Sequence, residues 1–422
     1  MEELTRGTNV EGERPLQSMG PAPEETTSAD LVVGVLGESD PNTVAKMCDE
    51  LRTVPGPLRI AVLHDDRQEG PAPVISETTE GRAFVFLVSS LLPKSDVSAT
   101  GLPSMSETYQ SVFAAAEKLQ ARGCCIMASK LESTTPPWAW RIAQPLFDSQ
   151  ADLVLPHYAR RKFEGLLNAS ILAPMMRALY GKRVNNPMGP DIGVSQRLLQ
   201  KMLAAKTTGN QLNSLASLTP TALCQNLQII EVNFGARIYP PTDWSNLSSV
   251  LAEVLSPVFL DMERYAPFWQ RTRVSLPLPV VGEPFPLDQD SPAMDTRDMV
   301  ESFQLGNREL QEIWGLVLPP ASLFELRKLS RLPVEHFRLP DELWVRIVYD
   351  FALAHRLRTI SRDHLLRSMT PLYLGWVASY VHDLTLAGAM SPAHRLESLS
   401  LAYEAGKSYL VSRWRWPDRF NP

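Results

Sequence analysis

Cysteine is scarce in this 422-residue sequence, which holds four copies of it. No two of them have the spacing of a CxxC motif. Cys124 and Cys125 lie in an apolar run, Gly-Cys-Cys-Ile-Met, and this placement is typical of small core residues in a buried strand. Such use of cysteine suits a reducing compartment, so we expect a cytoplasmic protein.

Long apolar runs and an excess of positive charge are also missing. No apolar stretch approaches the roughly 18 residues that a membrane-spanning helix needs, and the acidic, proline-rich start shows no signal-peptide pattern. The formal net charge is -6, whereas a nucleic-acid-binding face needs a basic excess. The basic cluster at residues 160–162 is local and is typical of a solvated surface. We therefore expect no membrane span and no nucleic-acid partner.

What the sequence does contain divides it into four parts. Residues 1–29 combine Glu, Pro, Thr and Gly with few apolar side chains, which predicts a disordered tail. An α/β domain is expected over 30–270. A proline-rich segment is expected over 271–297, because five prolines lie between residues 276 and 292; it is either an extended linker or a strap lying on the surface. Helical apolar patterns then predict a mostly helical C-terminal region over 298–422.

The α/β prediction begins with two apolar runs, 31–36 and 58–63, which flank a helical pattern. Strand, helix and strand at this spacing are typical of a parallel sheet. Ligands of such sheets bind at the carboxyl ends of the strands. Glu38 follows the first run, and Asp65 and Asp66 follow the second. We expect these three to hold the base and ribose of a nucleotide; for Asp65 the alternative is an exposed acidic turn without a ligand.

Residues 152–195 combine a short strand closed by Pro156, the basic cluster, a helical pattern and a turn-rich loop. In that loop Asp191 lies between Gly189 and Gly193. Glycine lets the backbone approach a ligand closely, so we expect Gly189 to line a donor site and Asp191 to meet a substrate. The alternative is a tight turn in which Asp191 bonds its own backbone.

Three motifs in this segment follow one another within about forty residues: YARRKFEG, RALYGKRV and PMGPDIGVS. Together they resemble the core of bacterial nucleotide-sugar glycosyltransferases of the family-2 type, a group that includes mannosylglycerate-synthase-like enzymes. The resemblance extends more weakly from about residue 29 to residue 416. It implies a GT-A fold, meaning a Rossmann-like α/β domain with a mostly parallel sheet, followed by a mostly helical C-terminal region. It also implies a nucleotide or nucleotide sugar as ligand.

The sequence departs from the family's pattern at the positions that serve the donor phosphates and the metal ion. A Gly-Lys-Gly loop is replaced by Ser-Met-Ser ending at Ser106, which leaves that residue and a helix N-terminus to meet the phosphates. The metal-binding Asp-x-Asp is replaced by Ala128, Ser129 and Lys130. At two further positions the family has a carboxylate and a metal-binding histidine, and this sequence has Gln211 and Tyr239 instead. The resemblance therefore implies that the divalent cation site is lost, and we expect no cofactor.

Two hypotheses follow for the function. In the first, the chain keeps the fold without metal-dependent catalysis and is a binding or regulatory protein, because Ala128 cannot coordinate a cation and Lys130 repels one. In the second, it is an active metal-independent glycosyltransferase in which Lys130 stabilises the leaving diphosphate and Asp191 contacts the acceptor or the reacting sugar. For Lys130 the alternative is an ordinary surface residue. A third hypothesis, a protein-interaction module, would place the binding surface on the C-terminal helices.

Aromatic and histidine side chains recur along those C-terminal helices. The aromatic side chains are expected to lie in a core or in a dimer interface, and a dimer interface would make the protein a homo-oligomer. They are Trp344, Tyr349, Phe351, Tyr373, Trp376 and Tyr380. His355, His364 and His382 lack an i, i+4 carboxylate or histidine partner, so we expect them to be structural or exposed rather than metal ligands.

Overall fold

A computed structural model describes residues 28–35, 41–63, 83–88, 105–127, 130–131, 138–207, 215–238, 246–285, 293–385 and 391–417. Glu38, Asp65 and Asp66 lie outside these ranges, as do Gln211, Tyr239 and all but the last two residues of the predicted tail.

The strands in these ranges are β1 (Leu31–Val35), β2 (Arg59–Leu63), β3 (Phe84–Val88), β4 (Gly123–Met127), β5 (Lys130–Leu131), β6 (Leu153–Ala159), β7 (Lys182–Arg183), β8 (Ile192–Ser195), β9 (Ile229–Ile238), β10 (Leu276–Pro277) and β11 (Val280–Val281). One sheet has the order β11-β9-β6-β8-β4-β1-β2-β3, with β5 paired to β9, and β10 pairs with β7. Along that order β8 runs antiparallel to both neighbours, and the other pairs are parallel. This mostly parallel sheet confirms the Rossmann-like, GT-A fold class expected from the sequence.

The helices of the same ranges are α1 (Pro41–Arg52), α2 (Met105–Lys118), α3 (Trp138–Phe147), α4 (Ala173–Met175), α5 (Gln196–Thr207), α6 (Leu218–Cys224), α7 (Leu247–Arg264), α8 (Ala266–Trp269), α9 (Arg297–Glu309), α10 (Gln311–Val317), α11 (Pro320–Leu329), α12 (Asp341–Leu357), α13 (Arg362–Arg367), α14 (Thr370–Thr385) and α15 (Pro392–Arg415). Two π-helical stretches, Asn168–Leu172 and Met176–Tyr180, flank α4 and join it into one helical segment. None of the helices described is long and apolar enough to cross a membrane. The C-terminal region is helical, as expected.

Both faces of the sheet are buried. Successive strand residues point to opposite sides, and in β1 and β4 every residue is buried. One face packs against α1 and α3, with Val33 and Val154 among its core residues. The other face joins a continuous apolar cluster that reaches from Leu153 in β6 to Trp344 in α12. The strand and helical regions therefore share one core, while the domain boundaries at 270 and 298 stay predictions.

A backbone carbonyl in the π-helical segment explains part of this docking. Pro174 has no N–H to donate to the carbonyl of Ser170, four residues earlier. That carbonyl instead accepts hydrogen bonds from the Tyr403 hydroxyl at 2.9 Å and from Trp344 Nε1 at 3.4 Å. The interruption in the local helix thus becomes an attachment point for α12 and α15.

The predicted aromatic set on the C-terminal helices is buried throughout, which confirms its interpretation as core. His355 is buried, with Nε2 3.4 Å from Ser256 Oγ, and His382 bonds Thr296 and Arg338. His364 is exposed. All three are structural or exposed, as predicted.

Several element boundaries differ from those expected. The strand predicted to close at Pro156 continues to Ala159. β8 pairs only with Leu153 and Val154 of this strand, so among the described residues Pro156 has no strand partner on that edge. A proline is tolerated at such an unpaired position. The turn-rich loop ends in β8, an antiparallel strand that the sequence analysis missed. Within the helical C-terminal region α13 and α14 are separate helices, because Pro371 sits in the first turn of α14 and cannot continue a helix from the N-terminal side. α9 and α10 are divided at Leu310.

Candidate functional site

The candidate site lies at the carboxyl ends of the central strands. From β1 the chain adds β2 and β3 on one side and β4 on the other, so the strand order changes direction at the β1–β4 pair. Such a switch point opens a crevice in which α/β proteins bind ligands. Gly34 pairs with Leu63, so the strands that precede Glu38 and Asp65 end side by side.

Lys130 lies three residues after the end of β4 and begins β5. Its backbone pairs with that of Ile238 at the end of β9, and Leu131 pairs with Arg237. The resemblance assigned two separate segments, at Lys130 and at Tyr239, to one metal site. The β5–β9 pairing puts the backbone of Lys130 beside that of Ile238, the residue that precedes Tyr239 in the sequence.

Asp191 lies just before β8, and its side chain is fully buried. The hydroxyl of Tyr158 in β6 donates a hydrogen bond to its carboxylate. The hydroxyl of Tyr109 in α2 donates to the preceding carbonyl, that of Pro190, at 2.7 Å. The loop is thus held between a strand and a helix, and a substrate reaches this carboxylate only if the loop opens.

The electrostatics agree with this close grouping. Burial raises the pKa of the Tyr109 phenol above its ordinary value, the nearby charge of Asp191 raises it further, and the positive charge of Arg237 opposes them. Arg237 lies on β9 opposite Leu131. Residues from α2, β6, the Asp191 loop and β9 therefore meet in one charged neighbourhood next to β5.

Gly189 and Ser106 were expected to meet the donor. A Cβ atom on Gly189 would lie 2.3 Å from Cγ of Pro156, so the ring of this proline fills the space that the glycine leaves. Packing against β6 therefore accounts for a glycine at this position. Ser106 belongs to the first turn of α2, three residues before Tyr109, so the start of that helix lies near the Asp191 loop. The donor-binding roles of both residues stay predictions.

A second polar cluster, between β6 and the amino-terminal part of β9, was missed by the sequence analysis. The carboxylate of Glu231 is buried and accepts from the backbone N–H of Asn185 at 2.7 Å and from its Nδ2 at 2.8 Å. His157 Nδ1 lies 3.7 Å from Glu231 Oε2, and the imidazole is about one-third exposed, at 34%. Burial raises the pKa of Glu231, against the hydrogen bonds from Asn185. A buried carboxylate beside a partly exposed imidazole can orient that ring toward a ligand.

One signal for this cluster was present in the sequence. Glu231 lies in the run Ile-Ile-Glu-Val-Asn-Phe, which is apolar apart from Glu231 and Asn233, and a carboxylate inside such a run needs a partner to be buried. Its partners Asn185 and His157 lie in distant parts of the chain, so the sequence did not reveal them. In the part of the chain that the structure describes, no three or more His, Cys, Asp or Glu side chains form a group that could hold a metal ion.

Comparisons with solved structures found similar chains among sugar-transferring synthases. Glucosyl-3-phosphoglycerate synthase from Mycobacterium tuberculosis, in complex with Mn²⁺, UDP-glucose and phosphoglyceric acid, is 16% identical with a TM-score of 0.34, over 59% of this chain and 86% of that one. Mannosyl-3-phosphoglycerate synthase from Rubrobacter xylanophilus is 12% identical with a TM-score of 0.35, over 59% of this chain and 79% of that one. No family model and no curated protein matched. Because identities and TM-scores are this low, the fold class rests on the sheet topology, and no activity is drawn from these likenesses.

Proposed function

We propose that this chain is a GT-A glycosyltransferase-family protein that has lost metal-dependent catalysis and binds a nucleotide or nucleotide sugar in a binding or regulatory role. The observation that carries the proposal is the end of β4. This strand stops at Met127 beside β1, at the switch point of the sheet, and is followed by Ala128, Ser129 and Lys130. A transferase that neutralises its leaving diphosphate with a cation needs carboxylates at such a place.

The side chains at this position do not fit a divalent cation. Alanine has no donor atom, and the ammonium of Lys130 is itself a cation that repels a metal ion. Where the resemblance implies a metal-binding histidine, this sequence has Tyr239, which follows Ile238, the residue paired with Lys130.

The same lysine supports a second candidate, a metal-independent glycosyltransferase. In that reaction an acceptor hydroxyl oxygen forms a bond to the sugar's anomeric carbon and gives its proton to water or to the leaving group. The bond between that carbon and the diphosphate oxygen breaks, and its electron pair leaves with the nucleoside diphosphate. The ammonium of Lys130 would stabilise this developing charge, as an arginine or lysine does in other phosphate-transferring sites. Asp191 would contact the acceptor or the sugar, which requires the buried loop to open.

Calorimetric titration of the full chain with UDP, GDP and their glucose or mannose conjugates, each with and without Mn²⁺, tests both candidates. Sugar transfer or hydrolysis is followed in the same samples by release of the free diphosphate. The variant is Lys130→Ala, and the matched control is Lys118→Ala, an exposed lysine at the end of α2.

We expect metal-independent binding that Lys130→Ala weakens and Lys118→Ala does not, without release of diphosphate. Release that Lys130→Ala abolishes would replace the first candidate by the second. Binding or turnover that needs Mn²⁺ would contradict both, and no binding of any nucleotide would remove the glycosyltransferase-family function altogether.

A further inference from the structure

A cavity of about 490 Å³ lies between the segment after α8 and the C-terminal part of α15. Small-molecule sites are typically about 300 to 1,000 Å³ in volume. Its walls come from residues 272–273 and 404–416, and none of the strands β1 to β9 contributes to them. This cavity is therefore separate from the candidate nucleotide site at the strand ends.

The charge of its walls is predominantly positive. Arg273, Lys407 and Arg415 line the cavity, together with one carboxylate, that of Glu404. The carboxylate is engaged within the protein, because it accepts hydrogen bonds from Arg177 Nη2 at 3.0 Å and from Ser275 Oγ at 2.7 Å. The cavity thus presents three cations whose charge the single carboxylate does not offset.

Lys407 is held in place with donor capacity to spare. Its Nζ donates to the carbonyls of Ala178 and Thr272 at 2.7 and 2.8 Å, and an ammonium has three N–H groups. No third partner lies among the residues that the structure describes. Burial and then the nearby charge of Arg273 lower the pKa of Lys407 to about 8. An anion bound between these two cations would relieve their repulsion.

Beside the cations the cavity has an aromatic wall. Trp416 lines it and is 69% exposed, which is unusual for a large apolar side chain in a region whose other tryptophans are buried. The flat face of an indole stacks on sugar rings and on bases alike. Ser408 adds a hydroxyl that can bond a ligand's oxygen atoms.

We propose that this cavity binds a phosphate ester carried on a ring, of the size of a sugar phosphate or a nucleoside monophosphate. Arg273, Lys407 and Arg415 take the phosphate, and Trp416 covers the ring. The proposal does not rest on the function proposed above, since the two sites share no residue.

Calorimetry on the full chain with inorganic phosphate, glucose, glucose 6-phosphate and adenosine monophosphate tests it. Arg273→Gln and Arg415→Gln remove exposed cations, and Arg271→Gln is the matched control because Arg271 is exposed nearby and does not line the cavity. Trp416→Leu removes the aromatic wall. Lys407 is left intact in these variants because it also holds two backbone carbonyls.

We expect the phosphate esters to bind more tightly than phosphate, and glucose not to bind. Each arginine variant should weaken ester binding about tenfold, as loss of a charge-assisted hydrogen bond does, and Arg271→Gln should leave it unchanged. Trp416→Leu should weaken the esters and not inorganic phosphate. The better of the two esters identifies the ring as a sugar or a nucleoside. Ester binding that survives both arginine variants but is lost in Lys130→Ala, or no ester binding at millimolar concentration, would overturn the proposal.

Discussion

Gly189 shows how a residue chosen as a ligand contact can be required by packing. A Cβ atom there would lie 2.3 Å from Cγ and 2.8 Å from Cδ of Pro156, and a proline ring in a strand has little freedom to move. We expect Gly189→Ala to lower the free energy of unfolding by about 1–3 kcal/mol, as overpacking does. Urea denaturation measures this.

The control is Gly315→Ala in α10, where no atom lies within 4 Å of the added methyl. Alanine in a helix should be neutral or stabilise by up to about 1 kcal/mol. Equal effects of the two substitutions would contradict the packing explanation.

Asp261 is a second residue whose burial has a measurable consequence. Burial raises its pKa to about 6, against the opposing charge of Arg264, whereas an unfolded aspartate titrates near 4. Below pH 4 the carboxyl is protonated in both states. As the pH rises from about 4 to about 6 the unfolded state ionises first, so the free energy of unfolding falls, by about 3 kcal/mol in total.

Asp261→Asn removes this loss. The difference in unfolding free energy between variant and wild type, measured in urea at pH 4, 5, 6 and 7, should rise by about 2 kcal/mol over this range, most of it below pH 6. Other titrating groups, such as Asp350 with its pKa raised by burial to about 7, act in both proteins and cancel. A difference that does not change with pH would show that Asp261 titrates normally.

At the scale of elements, local patterns predicted the parallel strands and most helices, and non-local pairing decided the rest. The apolar runs of β1, β2 and β4 and the amphipathic helices were identified correctly, because residues adjacent in the sequence carry the apolar pattern of a buried element. β8 was missed, since its four residues gain strand structure only from pairing with β4 and β6. The Glu231 cluster was missed for the same reason, because its partners come from two other elements.

Arg395 joins three of the C-terminal helices through ion pairs. Arg395 of α15 is buried and donates to both carboxylate oxygens of Asp341, at 2.6 and 2.8 Å, and to Asp383 at 2.8 Å, which ties together α12, α14 and α15. Arg395→Met leaves two partly buried carboxylates without this partner. We expect a loss of about 3 kcal/mol in unfolding free energy, measured in urea.

Lys328→Met is the matched control, because Lys328 and its partner Glu325 are both exposed by more than half. Its cost should stay within about 0.5 kcal/mol. A comparable loss in both variants would mean that the Arg395 network contributes no more than a surface pair.

The core shared by the sheet and the C-terminal helices predicts that the whole chain unfolds cooperatively. The apolar cluster runs from the sheet into the C-terminal helices, and Trp344 and Tyr403 bond the Ser170 carbonyl in the segment between β6 and β8. Neither region can unfold without exposing the buried face of the other. We therefore expect a single unfolding transition in urea, with far-UV circular dichroism and tryptophan fluorescence giving the same midpoint and slope.

Trp344→Leu probes the coupling from the helical side. A cysteine-reactive probe reports on the sheet when labelling of Cys124 and Cys125 is followed by mass spectrometry, since Cys48 and Cys224 lie in helices. Cys124 and Cys125 are buried in β4, and burial raises their pKa, so both are protected until the sheet opens. If the regions unfold together, Trp344→Leu should lower the denaturant midpoint of thiol labelling as much as that of the helical signal. Labelling that keeps its wild-type midpoint while the helical signal shifts would instead support two independent domains divided between residues 270 and 298, as the proline-rich segment first suggested.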